Sequence, residues 1–249
     1  MNHIKQLSCV VEDWGLIEYT QAYERQKDLV SRVIAGENPH LIFCEHPAVL
    51  TLGRMTKLEN ILWSQEDIVA GGVKIVPVDR GGDITLHAPG QLVLYPILNL
   101  NEHGRDLKLF FEKLEYVVID LLKGFDILAG SKEGQRGVWV GREKIASMGI
   151  GVRKWVSYHG IGLNVNTDLK LFAMIRPCGL NVAMTSMEQL LGVPLDMADV
   201  KQKIILSFIK RFDLKTSVIA SPAKRGEAIS KDGIASSLRL PAGRQVHSQ

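Results

Sequence analysis

The period of apolar and polar positions changes several times along the chain, and each change marks an element. Residues 6–12 read as a strand. From Asp13, a residue able to cap a helix, apolar side chains recur at Leu16, Tyr19, Tyr23, Val30 and Val33. That is the spacing of one helical face, and Gly36 is a natural stop. Strands are expected at 40–45 and 49–52. Ser64 followed by Asp67 opens a short helix that Gly71-Gly72 ends. Residues 74–78 read as a strand, then come a glycine turn and strands near 84–87 and 91–98. The strongest helical pattern covers 106–124, with Leu107, Phe110, Leu114, Val117, Val118 and Leu121 on one broad face.

The pattern then becomes hairpin-like. Residues 138–140, 144–152 and 156–165 alternate as successive strands, with turns at Gly141-Arg142-Glu143 and Arg153-Lys154. A short helix near 168–174 follows. Ser186 with Gln189 forms a capping box, and a last helix over 197–212 turns Val200, Ile204, Ile205, Phe208 and Phe212 inward. There is no internal repeat and no linker before 215. The pattern predicts one mixed α/β (α+β-like) domain over 1–215, with helices packed on sheet, and not a parallel doubly wound fold. Residues 216–249 are rich in Ser, Ala, Gly and Lys/Arg with weak periodicity, so disorder is expected there.

Composition adds limits. An apolar fraction of 46% over 249 residues supports a sizeable core. Three widely spaced cysteines suggest neither a disulfide framework nor a zinc site. No secretion leader opens the chain and no apolar run reaches the length of a membrane span, so a soluble, reduced, cytoplasmic protein is expected. The basic balance belongs to the tail: 216–249 carry five basic and two acidic residues, and the rest of the chain is neutral. That argues against a nucleic-acid partner. Within the body, 132–154 is locally basic (Lys132, Arg136, Arg142, Lys144, Arg153, Lys154). Such a cluster is either a solvated face or a dock for an acidic partner.

Four segments carry candidate chemistry. Cys178 lies in Arg176-Pro177-Cys178-Gly179, a turn-prone stretch in which it is either a presented thiol or a chance loop cysteine, whereas Cys9 and Cys44 sit in strand-like runs where cysteine packs as a small hydrophobe. Arg80-Gly81-Gly82-Asp83-Ile84-Thr85-Leu86-His87-Ala88-Pro89-Gly90-Gln91 gathers three glycines, an arginine and a histidine between two strands. Glycines let backbone N–H groups approach a ligand, and Asp83, Thr85 and His87 share a face. The segment is neither a P-loop nor a dinucleotide turn; it is a ligand loop or a long hairpin. Lys144 opens the strand Lys144-Ile145-Ala146-Ser147-Met148-Gly149. A half-buried lysine can steady a thiolate or, once deprotonated, take a proton, and it can equally be an ordinary strand-end lysine. Ser157-Tyr158-His159-Gly160-Ile161-Gly162-Leu163-Asn164 alternates as a strand whose glycines line a cavity or mark a bulge.

The order and spacing of these four segments resemble the octanoyltransferase family, the lipoyl(octanoyl) transferases, from about residue 5 to 212. His46 in Glu45-His46-Pro47 also matches, while Ala88 stands where the family usually has glycine. The resemblance implies the fold of biotin and lipoate ligase catalytic domains, a mixed main sheet plus a smaller sheet with surrounding helices. It implies transfer of an octanoyl group from octanoyl-acyl carrier protein to a lysine of a lipoyl domain, through a thioester on Cys178 with Lys144 as its acid and base. Implied substrate contacts are Arg80, Gly81, Gly82, Asp83, Ile84, Thr85, Leu86 and His87, then Ser147, Met148 and Gly149, then Gly160, Ile161 and Gly162. His46, Tyr95 and His159 would line the site. A monomer without cofactor or metal, binding neither membrane nor nucleic acid, is expected. A thioester is already activated, so the transfer needs no ATP. The rival expectations are an ATP-dependent lipoate or biotin ligase on the same fold, and a module that only binds an acyl carrier or lipoyl domain.

Overall fold

The computed structural model describes residues 7–177 and 182–220, with the backbone alone for 217–220. Cys178 and Gly179 lie outside the described residues, as does the tail from 221 onward. The first half of the chain forms β1 (Ser8–Leu16), α1 (Tyr19–Ile34), β2 (His40–Glu45), β3 (Val49–Leu52), α2 (Gln65–Ala70), β4 (Lys74–Pro77), β5 (Ile84–His87) and β6 (Gln91–Ile97). The second half forms α3 (Leu107–Lys123), β7 (Gly130–Lys132), β8 (Gln135–Val140), β9 (Glu143–Arg153), β10 (Val156–Asn164), α4 (Met187–Leu191), α5 (Met197–Phe212) and β11 (Lys215–Ala220).

These strands make one eight-stranded sheet, ordered β11-β1-β2-β6-β10-β9-β8-β7, and one of three strands, ordered β4-β3-β5. Both are mixed. β1 runs parallel to β2 and β11, and β3 runs parallel to β4; the other pairs are antiparallel. Alternation along the central strands sorts the core into two layers. Leu41, Phe43, Leu92 and Leu94 face α3 and α5, while Ile42, Cys44, Val93 and Tyr95 face α1. A third cluster, including Leu50, Ile84 and Leu86, joins the small sheet to Ile68 of α2 and to Phe172 and Met174 of a 3-10 turn.

Local signals set most boundaries. The Ser64, Asp106, Ser186 and Asp196 side chains each accept an N–H in the first turn of their helices. The start of α1 differs from expectation. β1 continues through Asp13 to Leu16, because pairing with β2 outweighs the local cap signal, and Asp13 instead binds the Gly15 N–H and the Lys201 ammonium. The helix therefore begins at Tyr19. The end of the domain also differs: β11 adds a parallel strand beside β1 and carries the sheet to Ala220, five residues beyond the expected boundary at 215.

Strand β10 makes its closest backbone approach at Gly160. A Cβ there would collide with the Leu94 carbonyl of β6 and lie 2.9 Å from Pro96 Cδ. Both obstacles are parts of a buried strand that cannot swing aside. Gly160→Ala is therefore expected to destabilise the protein by about 2 kcal/mol or more, read as a lowered urea midpoint. An unchanged midpoint would contradict the packing described.

Candidate active site

A cleft of about 470 Å³, partly open to solvent, lies between the glycine loop and the face of the main sheet that α1 also covers. Its floor is β9 and β10, and its size depends on missing side chains. A Cβ on Gly149 would lie 2.9 Å from Arg80 Cδ, and one on Gly162 would lie 2.8 Å from Gln91 Oε1. The loop is fastened to that floor by the Gly81 N–H, which donates to the Ile150 carbonyl at 3.0 Å. Asp83 pins its other end, accepting the N–H groups of Lys57 and Ile84 at 3.0 and 2.8 Å and an amide hydrogen of Asn60.

Most of the expected residues meet here. Arg80, Gly82, Asp83, Ile84, Thr85 and His87 line the cleft from above. Ser147, Met148, Gly149, Gly160, Ile161 and Gly162 line it from below, with Tyr95 and His159 at its sides. Leu86 does not join them; it packs in the small-sheet core, where Ile84 on the same face of β5 also packs. Gly81 is occupied in fastening the loop. His46 stands behind Tyr95, 0% exposed. Ala88, where glycine was expected from the resemblance, is absent from the positive-φ residues, so its side chain brings no backbone strain.

Three histidines are buried around the cleft, and burial is the first cause in each that favours the neutral ring. His46 is lowered to about 4, His159 to about 4 and His87 to about 3. The tautomer of each follows from its partners. His46 Nδ1 donates to the Ile17 carbonyl at 2.7 Å, so Nε2 accepts from the Tyr95 hydroxyl at 2.7 Å. His159 Nε2 donates to Asp79 at 2.9 Å, so Nδ1 accepts from the Tyr19 hydroxyl at 3.3 Å. His159 has a left-handed backbone (φ 56°), and its N–H is held by Gln26 Oε1 at 2.8 Å. Burial pushes the Asp79 carboxyl up, but hydrogen bonds from His159, Tyr23 and Tyr158 outweigh it and hold it at about 2. Arg80, almost wholly buried, spends donors on the Thr51 carbonyl and hydroxyl and on the Gly81 carbonyl.

Lys144 is buried rather than half-buried, 1% exposed. It lies outside the cleft lining, at a bulge where β9 meets β8, with its ammonium 5.4 Å from the centre of the Trp139 ring. Gly137 makes room for it: a Cβ at that position would lie 2.6 Å from Lys144 Cε. On its other side the strand carries the segment that follows Cys178. The Lys144 N–H donates to the Ala183 carbonyl at 2.9 Å, and its carbonyl accepts from the Thr185 N–H at 3.0 Å. The segment before Cys178 is held by the Arg176 N–H on the Asn60 carbonyl at 2.8 Å. The other two cysteines are fully buried, and burial pushes both thiols up, Cys9 to about 12.

Sequence reasoning missed Tyr19 and Val93 in the lining, and gave no role to Asp79, Gln91 or Asn164. Tyr19 sits on the apolar face of α1 and reads as core. Asp79 directly precedes the arginine–glycine–glycine loop, which was the one available signal. The basic run 132–154 is not a single patch. Lys132 and Arg136 lie over the Trp139 and Phe111 rings, Lys144 is buried, and Arg142 and Arg153 stand at opposite ends of β9, roughly 35 Å apart.

The family model described as the lipoyl protein ligase A/B catalytic domain matches residues 18–209. The octanoyltransferase of Syntrophotalea carbinolica is 44% identical over 200 residues, covering 80% of this chain and 92% of that protein. The octanoyltransferase of Caldicellulosiruptor saccharolyticus is 45% identical over 209 residues, covering 82% and 89%. Among solved structures, a bi-partite lipoate protein ligase from Thermoplasma acidophilum has a TM-score of 0.70 at 14% identity, covering 87% of this chain and 88% of that one. Lipoate-protein ligase A bound with ATP has a TM-score of 0.67 at 15% identity, covering 87% and 90%. At that identity the two structures establish the fold alone. The chain belongs to the lipoyl protein ligase A/B catalytic-domain family. Within it the chain sits with the octanoyltransferases, which are acyltransferases of protein lipoylation.

The neutral histidines predict how stability depends on pH. The unfolded chain protonates each ring below about 6.5, whereas the folded chain keeps His46 and His159 neutral to about 4 and His87 to about 3. The folded pKa is depressed, so these rings leave stability unchanged above 6.5 and lower it as pH falls below that value. The slope is up to about 1.4 kcal/mol per pH unit for each ring. The urea midpoint should fall steadily from pH 6.5 to 4.5, and His46→Gln should flatten the fall by about one proton. A midpoint level over that range would refute the assignment.

Proposed function

We propose that this chain transfers an octanoyl group from an acyl carrier protein to a lysine of a lipoyl domain, with Cys178 as nucleophile and Lys144 as acid and base. The observation that carries the reading is the buried Lys144, whose backbone is clasped to the segment leading out of Cys178 and which stands on the floor strand β9, three residues before Ser147 of the cleft. With Cys9 and Cys44 buried as thiols, Cys178 is the cysteine left to act as a thiolate.

The reaction begins with a Cys178 thiolate and a Lys144 ammonium. The sulfur attacks the carrier thioester. A new carbon–sulfur bond forms, the carrier's bond breaks, and the proton of Lys144 passes to the departing carrier thiol. The lipoyl-domain amine then attacks acyl-Cys178. A carbon–nitrogen bond forms, Cys178 leaves as thiolate, and the amine's proton restores the Lys144 ammonium. The sulfur is nucleophile in the first half and leaving group in the second, and the acyl group stays activated throughout, so no nucleotide enters the balance.

Both substrates ride on proteins, and the surface beside the cleft suits docking. Met55, Leu58, Leu62 and Trp63 are exposed, on a segment bonded both to the glycine loop and to the residues before Cys178. Arg54, Lys57 and Arg176 are exposed beside them. Such an apolar patch with a cationic rim fits a carrier domain of negative charge.

Incubation with octanoyl-carrier protein should add one octanoyl mass to the intact enzyme, and Cys178→Ala should abolish both the adduct and transfer. Lys144→Met should slow both half-reactions by about 10²- to 10⁴-fold. Transfer from free octanoate and ATP that survives Cys178→Ala would replace this reading with a ligase.

A further inference from the structure

A continuous line of buried hydrogen bonds joins the cleft to Lys144, and its direction can be read from one end. The Thr185 carbonyl can only accept, so the Asn164 group 3.0 Å from it is the amide nitrogen. Asn164 Oδ1 then accepts, so the group 2.9 Å away on Gln91 is also the amide nitrogen. That leaves Gln91 Oε1 facing His87 Nδ1 at 2.7 Å, and the proton between them belongs to His87. Every member is nearly sealed from water, His87 being the most exposed at 8%. Thr185 donates its own N–H to the Lys144 carbonyl, which closes the line on the strand that carries the lysine.

We propose that Gln91 and Asn164 are positioning residues that lock His87 in the Nδ1–H tautomer, so that Nε2 is offered to the cleft as a hydrogen-bond acceptor for the incoming amine. The two residues are direct cross-strand partners in β6 and β10, and Gly162 leaves the space that Gln91 Oε1 occupies. An amine attacking a thioester must turn its lone pair to the carbonyl carbon. An acceptor that holds one of its N–H bonds selects that orientation. His87 takes no proton in this role. Burial is the main reason its pKa is lowered to about 3, and the nearby Arg80 charge adds to it, so the ring stays an acceptor throughout the cycle. The amine's proton goes to Lys144 as above. The role given to the amine rests on the transferase reading; the tautomer lock does not.

The test uses the full chain with ¹⁵N-labelled histidine and two separate readouts. Imidazole ¹⁵N shifts should show His87 protonated at Nδ1 in the parent protein and a mixture of tautomers in Gln91→Met. Loading of Cys178, followed by intact mass, should stay within about threefold of the parent in Gln91→Met and Asn164→Asp, while single-turnover transfer to the lipoyl domain should fall about 10- to 100-fold. The Nε2–H tautomer in the parent protein would overturn the lock without any variant. Equal losses in both half-reactions would reduce the network to a structural role and overturn the positioning claim. If the parent never acquires an adduct on Cys178, the transferase reading and the amine role fall together, and the ¹⁵N shifts still decide the lock.

Discussion

Strand β10 is bare where it meets the cleft, and the arrangement of the site follows from that bareness. Gly160 lets the Leu94 carbonyl of β6 come into contact, and Gly162 lets the Gln91 amide lie across the strand. Opposite them on β9, Gly149 admits the Arg80 side chain. Side chains at these positions would lift the glycine loop off the sheet and fill the space beneath it. The loop is held on one side by residues 51–60, through Arg80, Gly82 and Asp83, and rests on the floor through the Gly81 bond to Ile150, so the bare floor decides how closely it settles. At the end of the strand, two residues past Gly162, sits Asn164, whose side chain bonds Gln91 and the Thr185 carbonyl.

The polar groups around this cleft are arranged to carry little net change. His46, His87 and His159 are neutral, and each spends one ring nitrogen on a fixed partner. Arg80 keeps its charge but commits donors to Thr51 and Gly81. A neutral acyl thioester can enter such a space without forcing a buried group to change protonation. In the proposed reaction the proton traffic is left to Lys144, at the start of the floor strand β9 and walled by Trp139 and by the bare backbone of Gly137.

Much of the fold was legible because its signals are local. Capping residues marked α2 and α4, and α3 and α5 ran over the residues their periodicity indicated, to within one residue at each end. The failures have a common cause in partners far along the chain. β1 runs on through a good cap residue because β2 lies beside it, and β11 is a strand because β1 offers a free edge. No window of sequence contains either fact. The site was legible where a motif announced itself, in the glycine loop and the two glycine-bearing strands. Tyr19, Asp79 and Asn164 were not, since a buried tyrosine, a loop aspartate and a strand-end asparagine have ordinary roles in most proteins. Their geometry becomes specific only when four elements converge.

The fold is shared with lipoate ligases at 14–15% identity, so the sheet alone does not choose between activating a free acid and moving an activated one. The groups at the glycine loop bear on the choice. A phosphate cradle needs backbone N–H groups pointing freely at the anion, with a cation able to follow the charge. Here the Gly81 N–H is taken by the Ile150 carbonyl, and the Arg80 guanidinium reaches back to Thr51 and the Gly81 carbonyl. To hold a nucleotide, the loop would have to break bonds that fasten it to the sheet. To hold an alkyl chain it need only stay where it is, over Val93 and the bare backbone of Gly149, Gly160 and Gly162. The same fastening that shapes the cleft thus withdraws donors that a nucleotide would need.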